Sequence, residues 1–312
     1  MPNTPYENFF LSNEVEDQFN SRLDLMRFCR VDRGLEGRAG MKRMINVYSA
    51  TDGTQKLTQG QGNTTSIEVG FVQKEYEIAL AQNRFEYYDE ELMKDPMVPL
   101  VGARHAGVDM FNTVNADIYG EFAKATRILP VSALDFGAFV DAQAMLNLEG
   151  LEDVYTFAFV APADVAKIRK ALKDDLKYVE AFSRQGYIGT VGGTNIHMKK
   201  DATPGKIYLA TQDAVTMFVK TGTEVEQYTE GNRSAADANI RKNTLLTRKY
   251  YIVALTDETK DIAISLGATA TATADTTVTA GKTYYKKDGA GYVAVVPAEG
   301  ANPATEGWYE IA

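Results

Sequence analysis

Residues 41–82 limit what this chain can fold into more than any other stretch. Met44-Ile45-Asn46-Val47-Tyr48 reads as one strand and Ile67 to Leu80 as a longer one, with Ile67, Val69 and Phe71 and then Tyr76, Ile78 and Leu80 in alternation. Between them lies ATDGTQKLTQGQGNTT, which is polar and rich in Gly, Thr and Gln. The segment predicts a long hairpin with an oversized tip. Neither strand has enough apolar positions to build a core, and a lone two-stranded hairpin is marginal in water, so it needs a partner surface.

The parts on either side have their own periodicities. Residues 1–40 read as an arm in which Pro2 and Pro5 block early regular structure. A helix is expected from Ser12 to about Arg30: Ser12 can cap it, Glu14 and Glu16 favour its first turn, and Val15, Phe19, Leu23 and Met26 recur at helical spacing. After the hairpin, Asn83–Asp95 is charged and aromatic. A long helix then runs over about Val98–Thr126 on a stripe of Val101, Val108, Phe111, Ile118 and Phe122. At 1.5 Å per residue it spans about 40 Å and reads as a scaffold.

From about Val131 to Asn243 helices alternate with strands. Asp135–Leu148 is expected to be a short helix, Val154–Val160 a strand buried on both faces, and Ala163–Leu172 a helix opened by Pro162. Lys206–Ala210 and Ala214–Val219 read as further strands, so a central sheet organises this region. Asn243–Leu266 returns to strand character and is expected to pair beside the long helix. Ala268–Ala280 reads as a low-complexity Ala/Thr linker, and residues 281–312 as a small β module around the only tryptophan, Trp308.

Tests for chemistry come out negative. The stretch Gly186–Lys200 places Gly186, Gly189, Gly192 and Gly193 within eight positions, but its pattern is not G-x-G-x-x-G and a strand follows it, where phosphate binding needs a helix N-terminus. Gly281-Lys282-Thr283 lacks the earlier glycine of a P-loop. His105 and His197 are the only histidines and Cys29 the only cysteine, too few for a multi-cysteine or histidine-rich metal site; all three are expected to be structural. With 312 residues and 45% apolar content the chain can hold one large domain or two to three smaller ones. The net charge of −9 argues against a nucleic-acid groove, which relies on clustered Lys and Arg. The first residues lack a secretory pattern and no apolar run is long enough to span a membrane, so a reducing cytoplasm is the expected compartment.

The order of these parts resembles the major capsid proteins of tailed bacteriophages, the Hong Kong 97-like fold that encapsulin shells share. Gly186-Tyr187-Ile188-Gly189 through Gly193-Thr194-Asn195-Ile196 looks like the family's glycine-rich approach to an axial-domain strand. Arg241 to Leu255, a polar run leading into Arg248-Lys249-Tyr250-Tyr251, resembles its return segment. The likeness covers about residues 10–267. It implies an α+β fold with an N-terminal arm (1–40), an extended loop (41–82), a peripheral domain with a spine helix (83–130 and 245–267), an axial domain (131–244) and a linker with an appended β module (268–312). Small β modules are carried at the C-terminus by some phage capsid proteins, which implies an outer decoration dispensable for assembly.

The resemblance also implies a structural protein, not an enzyme, with no cofactor or metal. Its main partner would be itself, in the hexameric and pentameric capsomers of an icosahedral shell around double-stranded DNA. Portal and scaffolding proteins would be further partners, DNA would be touched without sequence preference, and no membrane would be involved. Assembly would engage Lys56, Gly60 and Gly62 in the hairpin tip and Gly186, Gly189, Gly192 and Gly193 near subunit contacts. The expected location is the virion, with assembly in the host cytoplasm. An encapsulin-like cargo compartment, a nucleotide-dependent enzyme built on the glycine stretch and a surface adhesin are the alternatives.

Overall fold

The computed structural model describes residues 23–50, 54–59, 61–148, 154–172, 189–298 and 300–312. In chain order these form a 3-10 turn (Leu25–Phe28), β1 (Arg30–Asp32), β2 (Lys42–Ala50), β3 (Val69–Glu77), β4 (Ala79–Tyr88), α1 (Asp89–Lys94), α2 (Val98–Phe122), β5 (Arg127–Val131) and α3 (Phe136–Met145). There follow β6 (Thr156–Val160), α4 (Pro162–Ala171), β7 (Thr190–Val191), β8 (Thr194–Met198), β9 (Lys206–Thr211), β10 (Val215–Tyr228), α5 (Ala235–Asn239), β11 (Lys242–Leu255) and β12 (Asp261–Leu266). The C-terminal strands are β13 (Ala270–Ala272), β14 (Tyr284–Asp288), β15 (Gly291–Val295) and β16 (Tyr309–Ile311). The strands make a two-stranded sheet β2-β3, a four-stranded sheet β1-β10-β11-β4 and a ten-stranded sheet β13-β16-β14-β15-β5-β12-β9-β6-β8-β7.

The ten-stranded sheet is built around β6, all five of whose residues are buried. Strand alternation sends Phe157 and Phe159 to one face, where they meet Phe28 and Phe122, with ring centroids between 4.8 and 5.7 Å apart. It sends Ala158 and Val160 to the other face, among Phe139, Ala142 and Met145 of α3 and Val165 and Ile168 of α4. Pro162 stands in the first turn of α4, where its missing N–H costs nothing. The layers are therefore α2 and the N-terminal turn, then sheet, then α3 and α4.

The buried strip of α2 differs from the expected stripe. It runs at every fourth residue through Gly102, Ala106, Met110, Val114, Ile118 and Phe122, while Val101, Val108 and Phe111 are half-exposed. Small residues at the start of the strip are required by β4. The Phe85 ring lies so close to Gly102 that an added Cβ would come within 2.2 Å of it. Further along, buried Asn115 accepts from the Leu25 N–H and donates to the Leu23 carbonyl, both at 3.1 Å, acting as a side-chain substitute for a neighbouring strand. That contact shapes the N-terminal segment. The helix expected from Ser12 falls outside the described residues as far as Arg22, and from Leu23 onward the chain forms the 3-10 turn and then β1, parallel to β10.

Three other differences concern strand partners. The expected strand Ile67–Leu80 is two strands, separated at Ile78: β3 pairs with β2, whereas β4 pairs with β11 from Ala79↔Tyr251 to Tyr88↔Lys242. Of the two strands expected beside the long helix, β11 is there; Tyr251 Oη donates to Asp117 at 2.6 Å and the Leu255 N–H to Glu121 at 3.3 Å. β12 instead lies in the ten-stranded sheet, parallel to β5 and antiparallel to β9. Finally, the Ala/Thr stretch is not wholly a linker, because Ala270–Ala272 forms β13 and pairs with β16. The module is continuous with the main body. β15 pairs with β5 at Tyr292↔Ile128 and Val293↔Arg127, and an added Cβ at Gly291 would lie 2.4 Å from Met145 Cε of α3.

Ending the chain after Gly267 thus uncovers the edge of β5 and one flank of Met145. Free strand edges template association. The shortened chain is expected to melt at a lower temperature and to form irregular aggregates beyond any association of the full-length chain, as read by calorimetry and light scattering of the two side by side; unchanged values for both would show that the module is a mere appendage.

Asp261, the first residue of β12, is fully buried, and neither carboxylate oxygen has a hydrogen-bond partner of good geometry among the described residues. Burial pushes its pKa well above the carboxylate range. The folded state therefore holds the proton more tightly than the unfolded state. The stability this contributes is complete below the unfolded pKa and is lost as pH rises through the folded one. Asp261→Asn is expected to stabilise the chain by about 1–3 kcal/mol at pH 7. Its advantage over wild type should shrink towards pH 4 in denaturant melts.

Candidate assembly surfaces

The β2–β3 hairpin holds its register for nine residue pairs, from Lys42↔Glu77 to Ala50↔Val69, a length of about 30 Å. Several anchors are at its base. Ile78 is buried and its N–H donates to the Met41 carbonyl at 2.7 Å. Tyr76 stacks on Phe218 of β10 with centroids 5.1 Å apart. Lys74 pairs with Glu258 at 3.2 Å and Arg43 with Asp32 at 3.2 Å. Lys220 Nζ donates to the carbonyls of Arg38 and Gly40 at 2.7 and 2.6 Å, tying down the chain that enters the hairpin. Nothing in the local sequence around Lys220 signals this role, since both of its partners are backbone atoms some 180 residues away.

Beyond the base the hairpin exposes apolar side chains. Val69 is 64% exposed, Ile67 60% and Met44 55%. Each exposes apolar area to water at a cost of about 25 cal/mol per Å², so covering them is favourable. Lys56 and Gly62 lie exposed in the tip; Gly60 is outside the described residues.

The glycine stretch sits at the far edge of the ten-stranded sheet. Gly186 is outside the described residues, and the Gly189 carbonyl accepts from Ile196 N–H at 3.0 Å. Gly192 and Gly193, with φ of +55° and +84°, make the two-residue connection between β7 and β8. Two successive positive φ values are the type I′ hairpin geometry, which glycine adopts at least cost. The turn lies on α3: an added Cβ at Gly192 would be 3.1 Å from Val140 Cγ2, and one at Gly193 3.0 Å from Gln143 Nε2. Because the turn runs into strand β8, it presents no helix N-terminus to a phosphate. Beside it Phe136 is 54% and Val140 38% exposed, both on the outer side of α3.

The remaining chemistry-bearing residues are packed into the fold. Cys29 is buried, and burial, with Asp24 adding to it, pushes its thiol up to about 12. His197 Nε2 is 2.9 Å from Tyr155 Oη, its ring lies 4.6 Å from Phe28, and burial lowers its pKa. His105 is half-buried on α2, at a shallow hollow against β4.

No protein-family model matches the chain. A curated relative, the major capsid protein of Staphylococcus phage phiMR11, is 24% identical over 271 residues, covering 83% of this chain and 92% of the relative. Among solved structures, Gordonia phage Cozz aligns with a TM-score of 0.59 at 12% identity, over 78% of this chain and 86% of that one. The capsid of Cyanophage P-SCSP1u aligns with a TM-score of 0.59 at 10% identity, over 77% and 86%. A virus-like particle from Pyrococcus furiosus gives 0.51 at 15% identity, over 81% and 96%. The chain has the Hong Kong 97-like capsid fold. In this Hong Kong 97-like chain the hairpin and the glycine turn belong to different sheets, one rooted on the four-stranded sheet and the other closing the edge of the ten-stranded sheet.

Gly193→Val would combine a disfavoured positive φ with a contact against Gln143, and is expected to cost about 1–3 kcal/mol. A thermal melt should show the drop, and Gly192→Val should behave alike through Val140. Wild-type melting of both variants would show that the turn is replaceable.

Proposed function

We infer that this chain is the major capsid protein of a tailed bacteriophage, a structural protein that assembles with copies of itself into the shell around the genome. The observation that carries the reading is the sequence likeness to a phage major capsid protein along 83% of the chain, in agreement with the fold. The exposed apolar hairpin supports it on physical grounds. It projects about 30 Å from its anchored base and exposes Ile67, Val69 and Met44, so a neighbouring copy is the natural cover.

In this reading the β2–β3 hairpin is the extended loop. Helix α2 with the four-stranded sheet is the peripheral part, and the ten-stranded sheet with α3 and α4 is the axial part. Phe136 and Val140, beside the Gly192–Gly193 turn, face the neighbours around five- and six-fold centres. Lys56, Gly62 and Gly189 are interface or turn residues in the same scheme, with Gly60 and Gly186 beside them in sequence. The chain is not an enzyme and uses no cofactor. Portal and scaffolding proteins are its other partners, and the net charge of −9 suits DNA contact without affinity. It assembles in the host cytoplasm and ends in the virion. A cargo compartment of the same fold is the weaker reading, because the sequence relative is a phage protein.

Electron microscopy and sedimentation of the purified protein test this. Wild type is expected to form capsomers or shells. The double variant Ile67→Asp/Val69→Asp should remain dispersed while melting within about 0.5 kcal/mol of wild-type stability, as surface changes do. A wild type that stays a small monomer at high concentration would overturn the reading.

A further inference from the structure

The stretch from Arg27 to Arg43 holds six basic residues against two acidic ones, in a chain whose net charge is −9. Ion pairs neutralise only part of that excess. Arg43 pairs with Asp32 at 3.2 Å, Arg27 with Asp24 at 3.7 Å, and Lys42 with Glu75 of the hairpin. Arg30, Arg33 and Arg38 are exposed and make no ion pair among the described residues. The positive field reaches into the fold: burial, and after it the charge of Arg33, lowers the pKa of Lys249 on β11, against an opposing effect of Asp24.

A braced loop presents these arginines. Arg30 opens β1, the edge strand of the four-stranded sheet. After Asp32 the chain turns twice, the Glu36 N–H donating to the Arg33 carbonyl at 2.9 Å and the Arg38 N–H to the Leu35 carbonyl at 3.2 Å. Asp32 holds the start of the loop by accepting from the Gly34 N–H at 2.7 Å, and Lys220 holds its end through the carbonyls of Arg38 and Gly40. The brace on Arg38 is to its main chain, so its guanidinium group stays free. Gly37 and Gly40, at φ of +71° and +106°, have nothing within 4 Å of where a Cβ would stand, which leaves the backbone around Arg38 open to a ligand. The eight steps from Arg30 to Arg38 reach at most about 29 Å, less than the roughly 34 Å of one duplex turn.

We propose that Arg30, Arg33 and Arg38 form a contact site for the phosphate backbone of double-stranded DNA. A guanidinium group is always charged and pairs with phosphate through two parallel hydrogen bonds, and such contacts hold a duplex without reading its sequence. A protein partner fits less well, because protein interfaces are built around an apolar centre and no large apolar side chain is exposed from Arg33 to Gly40. A lipid surface fits less well for the same reason, since nothing here would insert into it. The net charge of −9 opposes DNA over the rest of the chain, so the contact is local, weak in one copy and summed over the copies of an assembly. The identity of the polyanion rests on the capsid reading; the binding itself rests on the loop.

The test uses the full-length chain in the state in which it purifies. Subunits or capsomers are titrated against a labelled duplex of arbitrary sequence and read by fluorescence anisotropy over about 50–200 mM salt; closed shells are read by the nucleic acid they protect from nuclease. Wild type is expected to bind at low salt, or to protect nucleic acid. The triple variant Arg30→Gln/Arg33→Gln/Arg38→Gln should weaken binding at least about tenfold and flatten the slope of log affinity against log salt by about three. In shells it should lower the protected nucleic acid several-fold. The corresponding triple Lys variant, which keeps the charge, should stay near wild type. If the triple Gln variant melts early, the single Gln variants decide: a slope flattened by about one in each supports the site, and unchanged slopes overturn it. Absence of wild-type binding at every salt, or equal binding by the triple Gln variant, would also overturn it. So would a triple Gln variant that binds DNA normally but no longer assembles, which would make the loop a contact with an acidic surface of a neighbouring copy. A wild type that binds the duplex but never assembles would overturn the capsid reading and leave this site standing.

Discussion

Ile118 and Phe122, at the end of α2, have no exposed surface because strands of both large sheets close on them. The same apolar layer takes Phe157 and Phe159 from β6, Tyr208 and Ala210 from β9 and Ala263 from β12, all of the ten-stranded sheet. It takes Val215, Met217 and Val219 from β10 and Tyr251 and Val253 from β11, of the four-stranded sheet. Leu25 and Phe28 of the N-terminal turn seal it. Two sheets that share few backbone hydrogen bonds are thereby held as one body, since a close-packed core transmits strain and resists shear. The position of the hairpin at one end and of the glycine turn at the other depends on this layer.

Where periodicity was local, the sequence was legible. The apolar run of β6 announced a strand buried on both faces, Pro162 marked the start of α4, and the polar tip with its flanking alternation gave the β2–β3 hairpin. The double glycine at 192–193 could be read as a sharp turn leading to the strand from Thr194. What could not be read was partnership. β11 and β12 look alike as sequences, yet β12 crosses to a different sheet after the three-residue turn Glu258–Lys260. Ala270–Ala272 has no apolar bulk to advertise a strand, and its role comes from β16 about forty residues later. The expected strip on α2 held at Ile118 and Phe122 but not at the start of the helix, where Gly102 must leave room for Phe85, a demand made by β4 and invisible in the helix itself.

The candidate surfaces were legible to a different degree. That the hairpin must be covered followed from its own poverty of apolar residues, and the 60% and 64% exposures of Ile67 and Val69 are its structural expression. The anchors at its base were not legible, because Lys220 and Phe218 lie far along the chain and act through backbone carbonyls and a ring face. Likewise the glycine turn was recognisable as a turn, but its seat on Val140 and Gln143 of α3 was not.

Ile78 is a single residue between two strands that answer to different partners, β3 to its hairpin mate and β4 to the body. Buried and hydrogen-bonded to the Met41 carbonyl, it marks the point where the hairpin leaves the body. Because the arm is about 30 Å long, small errors of angle at the base would be magnified at the tip, and Tyr76 on Phe218, Lys74 on Glu258 and Lys220 on the Arg38 and Gly40 carbonyls fix that angle.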